Sequence, residues 1–109
     1  MEFVETKVFT KRLTRLGLDE EVRELQKELL QNPEAGDLDP GTGGLRKVRM
    51  ADPTRGKGKR SGARVHYLWL PEKDRIYLLF VYSKDETSAL SKDQKDSLKA
   101  VVQAIKGER

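Results

Sequence analysis

No cysteine occurs among the 109 residues, which excludes disulfides, thiolate-held zinc and a cysteine nucleophile. His66 is the only histidine, and no cluster of carboxylates lies near it in the sequence, so no metal site is expected. The longest uninterrupted apolar run, Ile76 to Tyr82, has seven residues, whereas a spanning helix takes about 20. The opening residues, Met1-Glu2-Phe3-Val4-Glu5-Thr6-Lys7, break their apolar side chains with acids and a lysine before a signal region can form. The expectation is a cytoplasmic protein with no membrane partner, no metal and no cofactor.

Aromatics are scarce, but five of the seven (Tyr67, Trp69, Tyr77, Phe80, Tyr82) fall between 67 and 82. With 36% hydrophobic and 37% charged residues, the average composition is polar enough to raise the question of disorder, and this concentration answers it in favour of a core. The length fits a single domain over residues 1–109.

Charge is distributed unevenly. Residues 45–64 hold eight basic side chains (Arg46, Lys47, Arg49, Arg55, Lys57, Lys59, Arg60, Arg64) and one acid, Asp52, a net +7. The other 89 residues therefore carry −3 of the chain's +4. A basic island on a slightly acidic domain is the electrostatic footprint of a polyanion partner, most often nucleic acid. The competing reading is a loop kept solvated by its charges.

Periodicity places the elements. Phe3 to Phe9 reads as a short first strand, followed by a weakly amphipathic stretch, Thr10 to Leu16, that Gly17 ends. Asp19 reads as an N-cap, with Glu20 and Glu21 in the first turn and Val22, Leu25, Leu29 and Leu30 as an apolar stripe. The spacing predicts a helix over 19–31, stopped at Asn32-Pro33. Residues 33–44, rich in Gly, Pro and Asp, read as a surface connection. In Leu45 to Met50, alternation puts Val48 and Met50 on one face with Arg46, and Lys47 with Arg49 on the other, about 7 Å apart. Asp52 to Gly62 reads as a mobile basic hairpin loop that does not pack.

Arg64 to Leu70 then places Val65, Tyr67 and Trp69 on one face and Arg64, His66 and Leu68 on the other. Pro71 to Asp74 turns the chain into Arg75 to Lys84, which is apolar on both faces for much of its length and reads as central. Ser91 and Gln94 form a capping box, and Leu98, Val101, Val102 and Ile105 recur at helical spacing. The pattern predicts an α+β fold with helices packed on an antiparallel sheet of about four strands.

The glycine-rich stretches do not fit nucleotide binding. Gly41-Thr42-Gly43-Gly44 is followed by Leu-Arg-Lys, and Gly56-Lys57-Gly58 lacks a third glycine and lies between strands. What remains is a face of cations: Lys47 and Arg49 on one strand, Arg64 and His66 on the next, Tyr82 and Lys84 at the end of the third. Such a set suits RNA. Cleavage by an internal 2′-hydroxyl needs the attacking oxygen deprotonated, the phosphorane's extra negative charge stabilised and the 5′-oxygen protonated. Arg and Lys meet the second need, where one preorganised donor is worth about 3 to 4 kcal/mol. His66, a lysine desolvated among cations, or Tyr82 are the candidates for acid and base. The plain alternatives are an ordinary hydrogen-bonded strand histidine and a core tyrosine.

Several of these segments together resemble a known family. They are Asn32-Pro33, Gly36, Gly41-Thr42-Gly43-Gly44-Leu45-Arg46-Lys47-Val48-Arg49, Gly56-Lys57-Gly58-Lys59-Arg60-Ser61-Gly62 with Arg64, and Tyr82-Ser83-Lys84-Asp85-Glu86 with Leu90. The chain resembles the HigB branch of the RelE/ParE superfamily, the toxins of bacterial type II toxin-antitoxin modules. The resemblance implies a RelE-like fold and a metal-independent endoribonuclease that cuts mRNA on the ribosome, leaving a 2′,3′-cyclic phosphate and a 5′-hydroxyl. It also implies a cognate helix-turn-helix antitoxin, through which alone the pair would reach operator DNA.

The family's paired strand cations fall on Lys47 and Arg49, its strand-opening arginine on Arg64, and its basic residue after the last strand on Lys84. The arginine and tyrosine that follow in RelE are here Asp85 and approximately Ser91, leaving the base open among Tyr82, Lys57 and His66. Arg46, Arg55, Lys57, Lys59 and Arg60 are the expected contacts to RNA and ribosome. Two other classes stay open: a non-catalytic inhibitor, as gyrase poisons of the ParE type are, and a basic nucleic-acid-binding accessory domain.

Overall fold

The structure is a computed structural model that describes residues 1–108. Its elements run β1 (Glu2–Glu5), α1 (Lys7–Leu16), α2 (Asp19–Gln31), β2 (Asp37–Leu38), β3 (Arg46–Met50), β4 (Ala63–Leu70), β5 (Arg75–Ser83) and α3 (Lys92–Lys106). The fold is α+β, and its sheet has five strands where about four were expected, in the order β1-β5-β4-β3-β2. β3 to β5 form the expected antiparallel meander, which β2 extends by one antiparallel edge strand. β1, however, joins β5 in parallel, which makes the sheet mixed and places β5 in its interior.

The strand expected over Phe3 to Phe9 ends at Glu5. The Thr6 hydroxyl accepts from the Phe9 amide at 3.1 Å and caps α1, and helical spacing then buries Phe9, Leu13 and Leu16 together. Gly17, at φ 72°, ends the helix in the left-handed conformation that favours glycine. α2 spans the predicted 19–31, with Asp19 as its first residue and Leu18 in the capping position. α3 begins at the predicted capping box of Ser91 and Gln94.

Two segments read as irregular carry structure. Within 33–44, Asp37 and Leu38 pair with Lys47 and Arg46 as the edge strand β2; two residues are too few to produce an alternating pattern. Within 52–62, Asp52 is fully buried, accepts from Thr54 and Arg55, and exchanges two backbone hydrogen bonds with Lys57 across a turn at Pro53–Arg55. The loop is therefore anchored at its base rather than loose throughout.

Each face of the sheet has its own core. α1 and α2 pack Phe9, Leu13, Leu18, Leu25 and Leu29 against Val48, Val65, Tyr67, Ile76, Leu78 and Val81. On the opposite face, α3 packs Leu98, Val102 and Ile105 against Leu45, Leu68, Leu70, Tyr77 and Leu79. A bulge opposite His66/Tyr67 leaves Leu79 unpaired, so Leu79 and Phe80 both contact this second core. Among the described residues, no helix is long and apolar enough to cross a membrane.

Candidate nucleic-acid interface

Strand alternation builds the site. Register places Lys47 opposite His66 and Arg49 opposite Arg64, while Arg64 and His66 face Tyr82 and Phe80 of β5. Two rows thus cross three strands on the face that carries α3. Because α3 covers the part built from Leu68, Leu70, Tyr77 and Leu79, Lys47 stays half-buried and Arg49 exposed.

The rows bring the predicted residues together, but in different states. Arg64 is only 6% exposed. Its Nη1 donates to the carbonyls of Ala63 at 3.0 Å and Lys59 at 3.1 Å, and its Nη2 donates to that of Arg60 at 2.7 Å. Burial, then the neighbouring Arg49, lower its pKa, and Tyr82 works against them. A buried cation without a carboxylate is tolerated because carbonyl dipoles replace its water. Arg64 therefore holds the root of the basic loop.

His66 is fully buried. Its Nε2 lies 2.7 Å from Asp39 Oδ2, and Lys95 of α3 donates to Asp39 Oδ1 at 3.1 Å and to the Pro40 carbonyl. Burial alone would raise the Asp39 carboxyl, but hydrogen bonds from His66 and Lys95 hold it below the usual carboxylate range. Burial lowers the imidazole's pKa against the pull of Asp39, so His66 is neutral at pH 7. A carboxylate at Nε2 assigns the proton to that nitrogen and leaves Nδ1 an acceptor, which has no partner among the described residues.

Tyr82, 1% exposed, stacks on His66 with ring centroids 6.0 Å apart. Its hydroxyl also lacks a partner among the described residues, and burial raises its pKa against the effect of Arg64. Of the expected acid–base candidates, His66 and Tyr82 have no reach into solvent, whereas Lys57 is only half-buried.

Lys84 follows β5, half-buried, with its amide donating to the Gly62 carbonyl at the base of the loop. Gly62 is required there, since a Cβ would lie 2.5 Å from the carbonyl oxygens of Met50 and Gly58. Lys59 and Arg60 are exposed on the loop and Lys57 is half-buried, with Lys59 3.3 Å from Glu28 of α2. Two of the expected RNA contacts are engaged elsewhere. Arg46 lies on the other face, donating to the Gly36 carbonyl and to Glu34, and Arg55 is held by Asp52.

Asp39 and Lys95 were not legible as parts of this cluster, because their partners lie 27 and 56 residues away in the chain. Gly41-Thr42-Gly43-Gly44 is a turn: Thr42 is buried, accepts from the Leu45 amide and donates to the Asp39 carbonyl. Among the described residues no three His, Asp or Glu side chains converge as a metal site. The chain matches no protein-family model.

Proposed function

We propose that this protein is the toxin of a type II toxin-antitoxin module, with a RelE-like fold, that binds mRNA on the ribosome and cleaves it without a metal. The supporting observation is the Arg49–Arg64 pair. Like charges placed directly opposite on neighbouring strands destabilise a sheet, and neither guanidinium has a salt-bridge partner among the described residues. With Lys47 and Lys84 beside the pair and Lys57 and Arg60 on the adjoining loop, none of them in a salt bridge among the described residues, the compensating charge is that of an external polyanion.

In this reading the loop grips the backbone while Lys47, Arg49 and Lys84 face the scissile phosphate, and Arg64 keeps the loop in place. The 2′-oxygen attacks phosphorus, the bond to the 5′-oxygen breaks, and the products are a 2′,3′-cyclic phosphate and a 5′-hydroxyl. The 2′-hydroxyl loses a proton and the 5′-oxygen gains one. Because His66 and Tyr82 are buried, these transfers fall to the amines of Lys47, Lys57 and Lys84 or to groups of the ribosome, which accounts for a ribosome-dependent reaction. The site of action is the cytoplasm, and the neutralising partner is a helix-turn-helix antitoxin that links the toxin to operator DNA.

The burial of His66 and Tyr82 favours a second reading, a non-catalytic inhibitor that binds through the same cations. Expression in a bacterium with mapping of new 5′ ends separates the two. The nuclease predicts cuts on translated messages only, with Arg49→Ala slowing cleavage about 100-fold or more, the usual effect of removing one charge-stabilising donor. Growth arrest with intact mRNA establishes the inhibitor.

A further inference from the structure

α1 and α3, which pack on opposite faces of the sheet, leave between them an apolar groove of about 330 Å³ along the middle of β5. Its floor is Leu79, Phe80 and Leu98, its walls are Val8 of α1 and Val101 of α3, and one acid, Asp93 at the start of α3, stands on the rim far in sequence from the α1 cations. These two valines are 54% and 39% exposed, among the few large apolar side chains left open to solvent. None of the cations on the β3–β4 face lines it.

Beside the groove, α1 carries Lys7, Lys11 and Arg15 and no acid. Spaced four residues apart, these three form one row along the helix, about 6 Å per step. None of them has a salt bridge among the described residues. Arg12, the fourth cation of the helix, turns away to Glu86 and the Val81 carbonyl. Glu5, the acid nearest the row, accepts from Thr10. Glu5 lines the same cleft as the row, so three cations face one carboxylate, and Val8 stands as a ridge between an apolar trough and a row that keeps a net positive charge.

We propose that this surface docks an acidic amphipathic helix of a partner protein. Apolar side chains at helical spacing would enter the trough between Val8 and Val101, and carboxylates one turn apart would meet Lys7, Lys11 and Arg15. RNA would use the cations but has no use for the trough. The inference stands apart from the RNA reading, since none of the cations proposed to hold RNA lines the groove.

The test uses the full chain and two synthetic helical peptides of about 18 residues, five turns. Both carry a leucine stripe, one flanked by glutamates and the other by lysines. The glutamate peptide is expected to bind about tenfold more tightly or better, and to shift amide resonances along α1 and around Val101. Val8→Asp and Val101→Asp weaken it by tenfold or more without lowering the melting temperature, because both side chains are already exposed. The triple variant Lys7→Glu, Lys11→Glu, Arg15→Glu reverses the preference to the lysine peptide. Equal binding of both peptides, shifts that map elsewhere, or indifference to the valine substitutions overturns the proposal. Dimerisation abolished by Val101→Asp, in a chain that binds neither peptide, assigns the groove to a second copy and overturns it too. Loss with the charge variants alone makes the row a plain polyanion patch, which equally overturns the docked helix.

Discussion

Three side chains on one face show how burial changes what a residue type means. Arg64, His66 and Tyr82 each suit phosphate chemistry by composition, yet all are closed off from solvent. Arg64 is satisfied by loop carbonyls and His66 by Asp39. The His66–Asp39 pair has a consequence for stability. A pKa lowered by folding means that the unfolded chain binds more protons, so stability rises with pH across the interval. The contribution of His66 is complete above its ordinary value of 6.5 and is lost as pH falls below it. The lowered carboxyl of Asp39 adds a loss of the same sign below 3.8. Urea melts across this range are expected to show stability declining from about pH 6.5 downward. His66→Gln should flatten the upper part of that decline, and a wild-type profile level down to pH 4 would refute the assignment.

At the scale of elements, long-range side-chain hydrogen bonds close what backbone pairing leaves open. β1 pairs with β5 only as far as Leu78. Beyond it the edge of β5 is covered by α1, whose capping Thr6 donates to the Leu79 carbonyl and whose Arg12 donates to that of Val81 while lying 4.6 Å over the Phe80 ring. The segment leading to β2 is tied by Tyr67, whose hydroxyl accepts from the Gly36 amide at 2.9 Å and donates to the Pro33 carbonyl at 2.8 Å. Gly36 itself has no room for a side chain, since a Cβ would lie 2.8 Å from the Lys47 carbonyl oxygen. Tyr67→Phe would leave the buried Gly36 amide without its acceptor, at an expected cost of about 1 to 3 kcal/mol read from the urea midpoint. An unchanged midpoint would mean that the amide finds another acceptor.

For the molecule as a whole, the division of labour between the two sheet faces decides where charge collects. One face is closed by α1 and α2, and the other is only partly covered by α3, leaving Lys47 and Arg49 beside the loop that carries Lys57, Lys59 and Arg60. The acidic helix α2 borders this region: Glu20, Glu24 and Glu28 line a cleft with Arg49 and Lys59. If the proposed RNA binding through this region holds, it weakens with salt by about 0.7 in the log–log slope for each phosphate held. Lys57→Ala should make that slope shallower by about this amount without changing base preference. A slope unaffected by the substitution would place the loop outside the interface.

Local pattern was enough for the helix at 19–31, the capped helix after Ser91, the three long strands with their facing residues, and the basic window that holds Lys47, Arg49 and Arg64. These depend on periodicity and on short capping signals, which neighbouring residues determine among themselves. Tertiary structure alone decided the parallel pairing of β1, the two-residue strand at Asp37, and the withdrawal of His66 and Tyr82 from solvent. Each of these depends on partners far away in the chain, such as Asp39 for His66 and Lys95 for Asp39. Burial and hydrogen bonding are properties of that assembled neighbourhood, and residue order carries no local trace of them.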